Sequence, residues 1–320
     1  MSFPPNHCRQ AGRYVALLVL LCSLLPLRAQ QEPAFVQYWK LETQLNPATA
    51  GHSPQLNITG AFQAHATGFE DAGSTMFAAA DIALQLGKTR HGVGVALQND
   101  EIGLFSHKRF SLQYAYHFRL FGGLAGVGVE ADLLSEGVDG SRADLGDAND
   151  PAFPASEATG SKLDMSAGIC YTRGRFYAGF GVLHLLSPTV LLGETNELKI
   201  KNLFNFTTGY NIKTRNPFLT ITPSALLRYD GSDLRADLTA RMTIQREKKR
   251  LYGGLNYSPG HGVAAFVGGT FHGVDLCYAY EANTSGMGLA SGNHEVTLGY
   301  ILELDLGKRG KNKHKSVRWL

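Results

Sequence analysis

Apolar side chains recur at every second position, in short runs, along most of this chain. Val93, Val95 and Leu97 alternate with Gly94 and Ala96. Phe176, Ala178, Phe180 and Val182 alternate with Tyr177, Gly179 and Gly181. Val274, Leu276, Tyr278 and Tyr280 alternate with Asp275, Cys277 and Ala279. A period of two gives a strand one apolar face and one mixed face, and it is incompatible with an amphipathic helix. About 14 such segments lie between residues 55 and 304, including 91–99, 106–118, 123–135, 162–171, 175–183 and 204–211. Most are near the 9–11 residues of a membrane-crossing strand. Past the N-terminal leader, no apolar run reaches the roughly 20 residues of a transmembrane helix, so a helical membrane protein is excluded. The expected fold is all-β: a transmembrane antiparallel β-barrel of the outer membrane.

The connections support that expectation. Outer-membrane barrels have short turns on one side and longer loops on the other. The odd-numbered connections 136–161, 184–203 and 283–292 are long, whereas the even ones around Gly87, Gly122, Gly174 and Gly273 are tight. Charge sorts with them. Even turns carry Lys88, Arg90, Arg119, Arg173, Lys213, Arg215, Arg246, Lys248, Lys249 and Arg250. Odd loops carry Asp100, Glu101, Glu136, Asp139, Asp144, Asp147, Asp150, Glu194 and Glu197. The net charge of +3 conceals this division and is no nucleic-acid footprint. The 18% charged fraction, low for a soluble domain, suits a surface facing lipid.

Arg9 and Arg13 precede an apolar run over 15–27, and Leu27-Arg28-Ala29 closes it. This predicts a signal peptide over 1–29, too short to anchor, and Sec-dependent export to a Gram-negative outer membrane. Cys22 follows a bulky Leu21, which argues against a lipoprotein. The mature chain keeps Cys170 and Cys277, both inside strand patterns, as free thiols or one bridge.

Three parts follow the leader: a segment over 30–54 that is either periplasmic or a lumen plug, a barrel over 55–304, and a basic periplasmic tail over 305–320. The first has aromatic residues and prolines but no alternation. The tail contains Lys308, Arg309, Lys311, Lys313 and Lys315 and runs beyond the last strand.

These two ends carry a family resemblance. Gln31-x-Pro33-x-Phe35-x-Gln37-Tyr38, followed by Asn46-Pro47-Ala48-x-Ala50-Gly51, resembles the start of the PorP/SprF outer-membrane proteins of type IX secretion in Bacteroidetes-type bacteria. Asn99-Asp100-x-Ile102-Gly103 resembles a turn of that family, and Asp150-Pro151-x-Phe153 its long middle loop. Arg175-Phe176-Tyr177-x-Gly179 with His184-Leu185, Asn293-His294-Glu295, and the ending Val317-Arg318-Trp319-Leu320 continue the match. Thr49 and Val317 stand where the family commonly has Tyr and Pro.

The resemblance implies a role in secreting partner proteins or holding them at the surface, gliding adhesins among them. It implies periplasmic and outer-membrane secretion components, a dedicated secreted surface protein and outer-membrane lipid as partners. The expected partner contacts are Phe35, Tyr38, Asn46, Pro47, Lys311, Lys313, Lys315, Arg318 and Trp319. A passive porin or hydrophobic-substrate transporter is the alternative, since fold does not fix function.

No cofactor, metal or catalytic site is expected. His65, His91, His107, His117, His184, His261, His272 and His294 are scattered, with no helical His pair and no Cys–His cluster along the sequence. His294 and Glu295 point to opposite faces of a strand and cannot act together. The acids Asp139, Asp144, Asp147 and Asp150 lack EF-hand spacing. Gly122-Gly123-x-x-Gly126-x-Gly128 falls in a strand pattern and is expected to ease packing inside the barrel.

Overall fold

A computed structural model describes residues 32–67, 72–87, 89–140, 157–193, 196–247, 249–284 and 292–302. The strands, in chain order, are β1 (Leu56–Ala64), β2 (Ser74–Leu86), β3 (Thr89–Ile102), β4 (Phe105–Leu120), β5 (Gly123–Asp139) and β6 (Glu157–Arg173). Next come β7 (Phe176–Leu183), β8 (Thr189–Leu192), β9 (Asn196–Lys199), β10 (Leu203–Tyr210), β11 (Ile212–Lys213) and β12 (Leu219–Tyr229). The last five are β13 (Leu234–Arg246), β14 (Lys249–Ser258), β15 (Gly262–Phe271), β16 (Val274–Asn283) and β17 (Gly292–Leu302).

Neighbouring strands pair antiparallel, and β1 closes on β17 from Leu56 opposite Leu302 to Ala64 opposite His294. On the far side β10 bridges β7 and β12. β11 continues β10 past Asn211 and pairs with the same β12, so the closed wall has 14 strands. Closure leaves no unpaired edge, which is what lets strands cross lipid without water. The turns Phe121-Gly122 and His272-Gly273 have φ of 46° and 75°, and 50° and 85°. Two consecutive positive φ values match the twist of tight hairpins.

The alternation decides which face is which. On β4, Phe110, Leu112 and Tyr114 are 40–51% exposed, while Arg109, Ser111 and Gln113 between them are at most 6% exposed. Polar groups face the lumen and apolar ones face outward, the inverse of a soluble sandwich. Leu112 lies near the middle of its strand. Replacing it with arginine is expected to lower stability by about 2–4 kcal/mol in lipid vesicles, read by urea unfolding.

The structure corrects several local expectations. β5 and β6 run to Asp139 and from Glu157, well beyond 135 and 162. Those extensions lack apolar alternation, because backbone pairing continues after the lipid-facing constraint ends. The connection over 184–203 contains the hairpin β8–β9, whose four-residue strands are too short to show a period. Val190, Leu192 and Ile200 pack on Leu134 and Val138 of β5. Asn99 to Ile102 belong to β3, and the turn comes at Gly103. Asp100 and Glu136 are luminal strand residues rather than loop acids. Asp100 accepts from Thr75, and Glu136 pairs with His107.

Candidate functional site

Residues 32–53 run through the lumen. They form a 3-10 turn (Tyr38–Lys40), the short helix α1 (Glu42–Leu45) and a second 3-10 turn (Pro47–Thr49). Asn46 caps that last turn, its Oδ1 accepting the Ala48 amide at 3.0 Å with Pro47 at the first position. The segment is too short to hold such structure alone. The wall fixes it from every side.

Near the long-loop end, Arg228 of β12 donates to the Pro33 carbonyl at 2.7 Å. Glu295 of β17 accepts the Val36 and Gln37 amides at 2.6 and 3.0 Å. Tyr38 meets Ser224 of β12 at 2.9 Å, and at the short-turn end of β16 Lys40 pairs with Asp275. Trp39 lies 4.6 Å from the Phe266 ring, with the Arg241 guanidinium 5.1 Å over it. Farther along the segment, Gln113 of β4 donates to Thr43 O and Asn205 of β10 to Leu45 O. Asn46 donates to Ile169 O of β6 at 2.8 Å. His117 of β4 donates to Ala50 O, and Asp81 of β2 accepts the Gly51 amide, both at 2.8 Å.

A row of small residues makes room for this chain. Gly92, Ala115, Gly128, Gly168, Gly181 and Asn205 lie opposite one another in register across β3, β4, β5, β6, β7 and β10. A Cβ at Gly128 would overlap the Ala48 backbone, one at Gly181 the Leu45 carbonyl, and one at Gly92 the Ala50 carbonyl. The expectation that glycine eases packing inside the barrel therefore has a definite object: the backbone of residues 45–51.

At the long-loop end Glu32 meets a charged cluster. His184, just past β7, joins Glu32 at 2.9 Å through Nε2 and Asp164 of β6 at 2.7 Å through Nδ1. Burial opposes charge on His184, but its bonds to Asp164 and Glu32 outweigh that and raise its pKa to about 9. Burial likewise opposes charge on Glu32, yet Arg109 and His184 hold its carboxyl well below the usual carboxylate range. The His184 value exceeds the roughly 6.5 of a free imidazole, so its stabilisation is full below pH ~6.5 and is lost as pH rises through about 9. We expect the Tm, followed by Trp39 fluorescence, to fall between pH 7 and 10. His184→Gln should flatten that slope, which corresponds to on the order of 3 kcal/mol.

The lumen differs at its two ends. A cavity of about 50 Å³ remains between Glu32, His107, Arg109, Glu136 and His184. The short-turn end opens into a vestibule of about 640 Å³ lined by Lys40, Glu42, His52, Arg175, Arg241 and Arg250. Exposed Arg119, Arg173, Lys213, Arg215, Arg246 and Lys249 ring that end.

Of the residues expected to contact a partner, Phe35, Tyr38, Asn46 and Pro47 are buried in the lumen, against the protein's own wall. Lys311, Lys313, Lys315, Arg318 and Trp319 lie outside the described residues. Sequence reasoning missed the anchors Glu295, Asn205, Asp81 and Arg228. Each is a polar residue at an inward position of its strand. Two motifs that carry the family resemblance, Phe35-x-Gln37 and Asn293-His294-Glu295, meet through the Glu295 carboxylate.

The family profile described as type IX secretion system membrane protein PorP/SprF matches residues 27–300. The chain belongs to the PorP/SprF family. Among solved structures, this PorP/SprF protein resembles the CymD monoaromatic hydrocarbon channel at 9% identity and a TM-score of 0.52, over 83% of this chain and 93% of that one. The toluene transporter TbuX of Ralstonia pickettii is similar at 11% identity and a TM-score of 0.45, over 81% and 92% of the two chains. The CymD likeness shows the outer-membrane barrel fold. No curated protein matches the chain.

Proposed function

We propose that this PorP/SprF barrel serves type IX secretion as a plugged docking component. Its basic short-turn rim faces periplasmic machinery, and its long-loop face meets a secreted surface protein of the gliding or adhesin type. It performs no chemistry itself. One observation carries the reading: residues 32–53 fill the lumen and are hydrogen-bonded to strands around the whole wall. A barrel whose path is occupied suits docking better than passive solute flow. The long-loop end supports the same reading, since Leu185 and Leu186 just past β7 and Leu191 on β8 are exposed there. The Thr75 hydroxyl lies 2.7 Å from His65, yet Thr75 is fully buried and donates to Asp100, an arrangement unsuited to a nucleophile.

Deleting the gene and profiling the medium and cell surface tests the proposal. Loss of one or many type IX cargo proteins is the expected result. Truncation of residues 308–320 should impair secretion while the barrel still inserts. Intact secretion with reduced uptake of a small solute would overturn the reading in favour of passive transport.

A further inference from the structure

Three potential metal ligands, distant in sequence, converge at the short-turn end of the plug. His52 closes the plug, His117 faces inward from β4, and Cys170 faces inward from β6. One ligand atom from each lies within 4.8 Å of the others. His117 is 2% exposed and Cys170 9%.

The hydrogen bonding of both imidazoles is that of metal ligands. His117 donates through Nε2 to the Ala50 carbonyl at 2.8 Å, which leaves Nδ1 as a bare lone pair. His52 engages Thr172 Oγ1 through Nε2 at 3.4 Å. The Nδ1 atoms of both rings are buried without a hydrogen-bond partner. Buried polar nitrogens are rarely left so, and two facing one thiol need a reason. A ligating histidine characteristically gives its other ring N–H to a carbonyl or similar acceptor, which fixes the tautomer and ring orientation.

The wall beside two of the three carries no side chain. A Cβ at Gly126 of β5 would lie 2.7 Å from Cys170 Sγ and 2.8 Å from His117 Nδ1. A side chain there would displace both ligand atoms and press on the Ala48 carbonyl, 3.0 Å away.

We propose that His52, His117 and Cys170 bind a thiophilic divalent cation of the Zn²⁺ class and thereby staple the plug to β4 and β6. Two imidazoles and a thiolate select such an ion over Mg²⁺ or Ca²⁺. Tetrahedral bonds of about 2.0–2.3 Å hold ligand atoms about 3.5 Å apart, within reach of small ring rotations. As the ion binds, Cys170 gives up the hydrogen bond its thiol donates to Ala48 O at 3.2 Å, its proton passes to solvent, and the sulfur bonds the metal as thiolate. His52 lines the open vestibule, which supplies water for a fourth position. The local charges are mixed. Arg90 donates to the His52 carbonyl at 3.0 Å, and Asp81 holds the adjacent Gly51 amide.

The test uses the full chain in detergent, stripped with a chelator and titrated with Co²⁺ and then Zn²⁺. We expect one Co²⁺ per chain with a near-ultraviolet thiolate charge-transfer band, displaced by Zn²⁺. The band should vanish in Cys170→Ser and persist in Cys277→Ser. His52→Gln should weaken binding at least ~10-fold. In the unmutated protein, Zn²⁺ should also slow alkylation of Cys170 by N-ethylmaleimide, located by mass spectrometry, so the result does not depend on a variant folding. A titration without the charge-transfer band, or Zn²⁺ that leaves Cys170 alkylation unchanged, overturns the proposal.

Discussion

Gly128→Val expels the middle of the plug while the 14-strand wall stays closed. The new side chain points into the lumen, where the glycine now abuts the Ala48 amide and the Pro47 carbonyl carbon. Overpacking in a core costs about 1–3 kcal/mol when neighbouring side chains can shift. Here the neighbour is backbone, held on one side by Asn46 and by Asn205 through Leu45 O, and on the other by His117 through Ala50 O. It has nowhere to move except away from the wall, and its hydrogen bonds go with it. The strand itself accepts valine readily, since Val127 and Val129 flank the site in β5. The measurable results are a shift in Trp39 emission as it leaves Phe266 and Arg241, and discrete ohmic steps in planar bilayers. Ala131→Val, on the lipid-facing side of the same strand, serves as the control and should change neither. Native emission and a silent bilayer record for Gly128→Val would falsify the seat described for residues 45–51.

The contrast between these two positions shows how much of the fold was legible beforehand. Lipid imposes a strict apolar face, so Val127, Val129 and Ala131 write a period-two signal that marks β5. The inward face answers only to what fills the lumen, and that is a contact between distant parts of the chain. Gly92, Gly128, Gly168 and Gly181 become a row only when six strands are set in register. The charge sorting of the loops was legible for the exposed basic turns. It misplaced Asp100 and Glu136, because strands continue beyond the lipid and turn such acids inward. The ends of the plug were legible as motifs but not as an interaction. Nothing along the sequence connects Gln37 with Glu295, or His52 with Cys170.

Glu295→Ala releases the upper part of the plug. The carboxylate accepts two successive amides, from Val36 and Gln37, and is 1% exposed. Removing it leaves both N–H groups buried without an acceptor, at about 1–3 kcal/mol each, so the plug is weakened by about 2–6 kcal/mol. Gln37 is held a second time, its Oε1 accepting from Thr297 at 2.6 Å, so the loss falls hardest on Val36. Glu295→Gln keeps one acceptor and turns an N–H₂ toward the second amide, so its effect should be smaller but of the same sign. Hydrogen exchange at Val36 and Gln37 reads this directly: protection should collapse in Glu295→Ala and persist in β17 itself. His184→Gln loosens the same stretch from Glu32, a few residues away. The two anchors act on one short segment, so the double variant should fall short of the sum of the single effects. Additive losses would mean that Glu32 and Val36 detach independently. Under the docking proposal, cargo secretion should then track whichever anchor alone sets the plug.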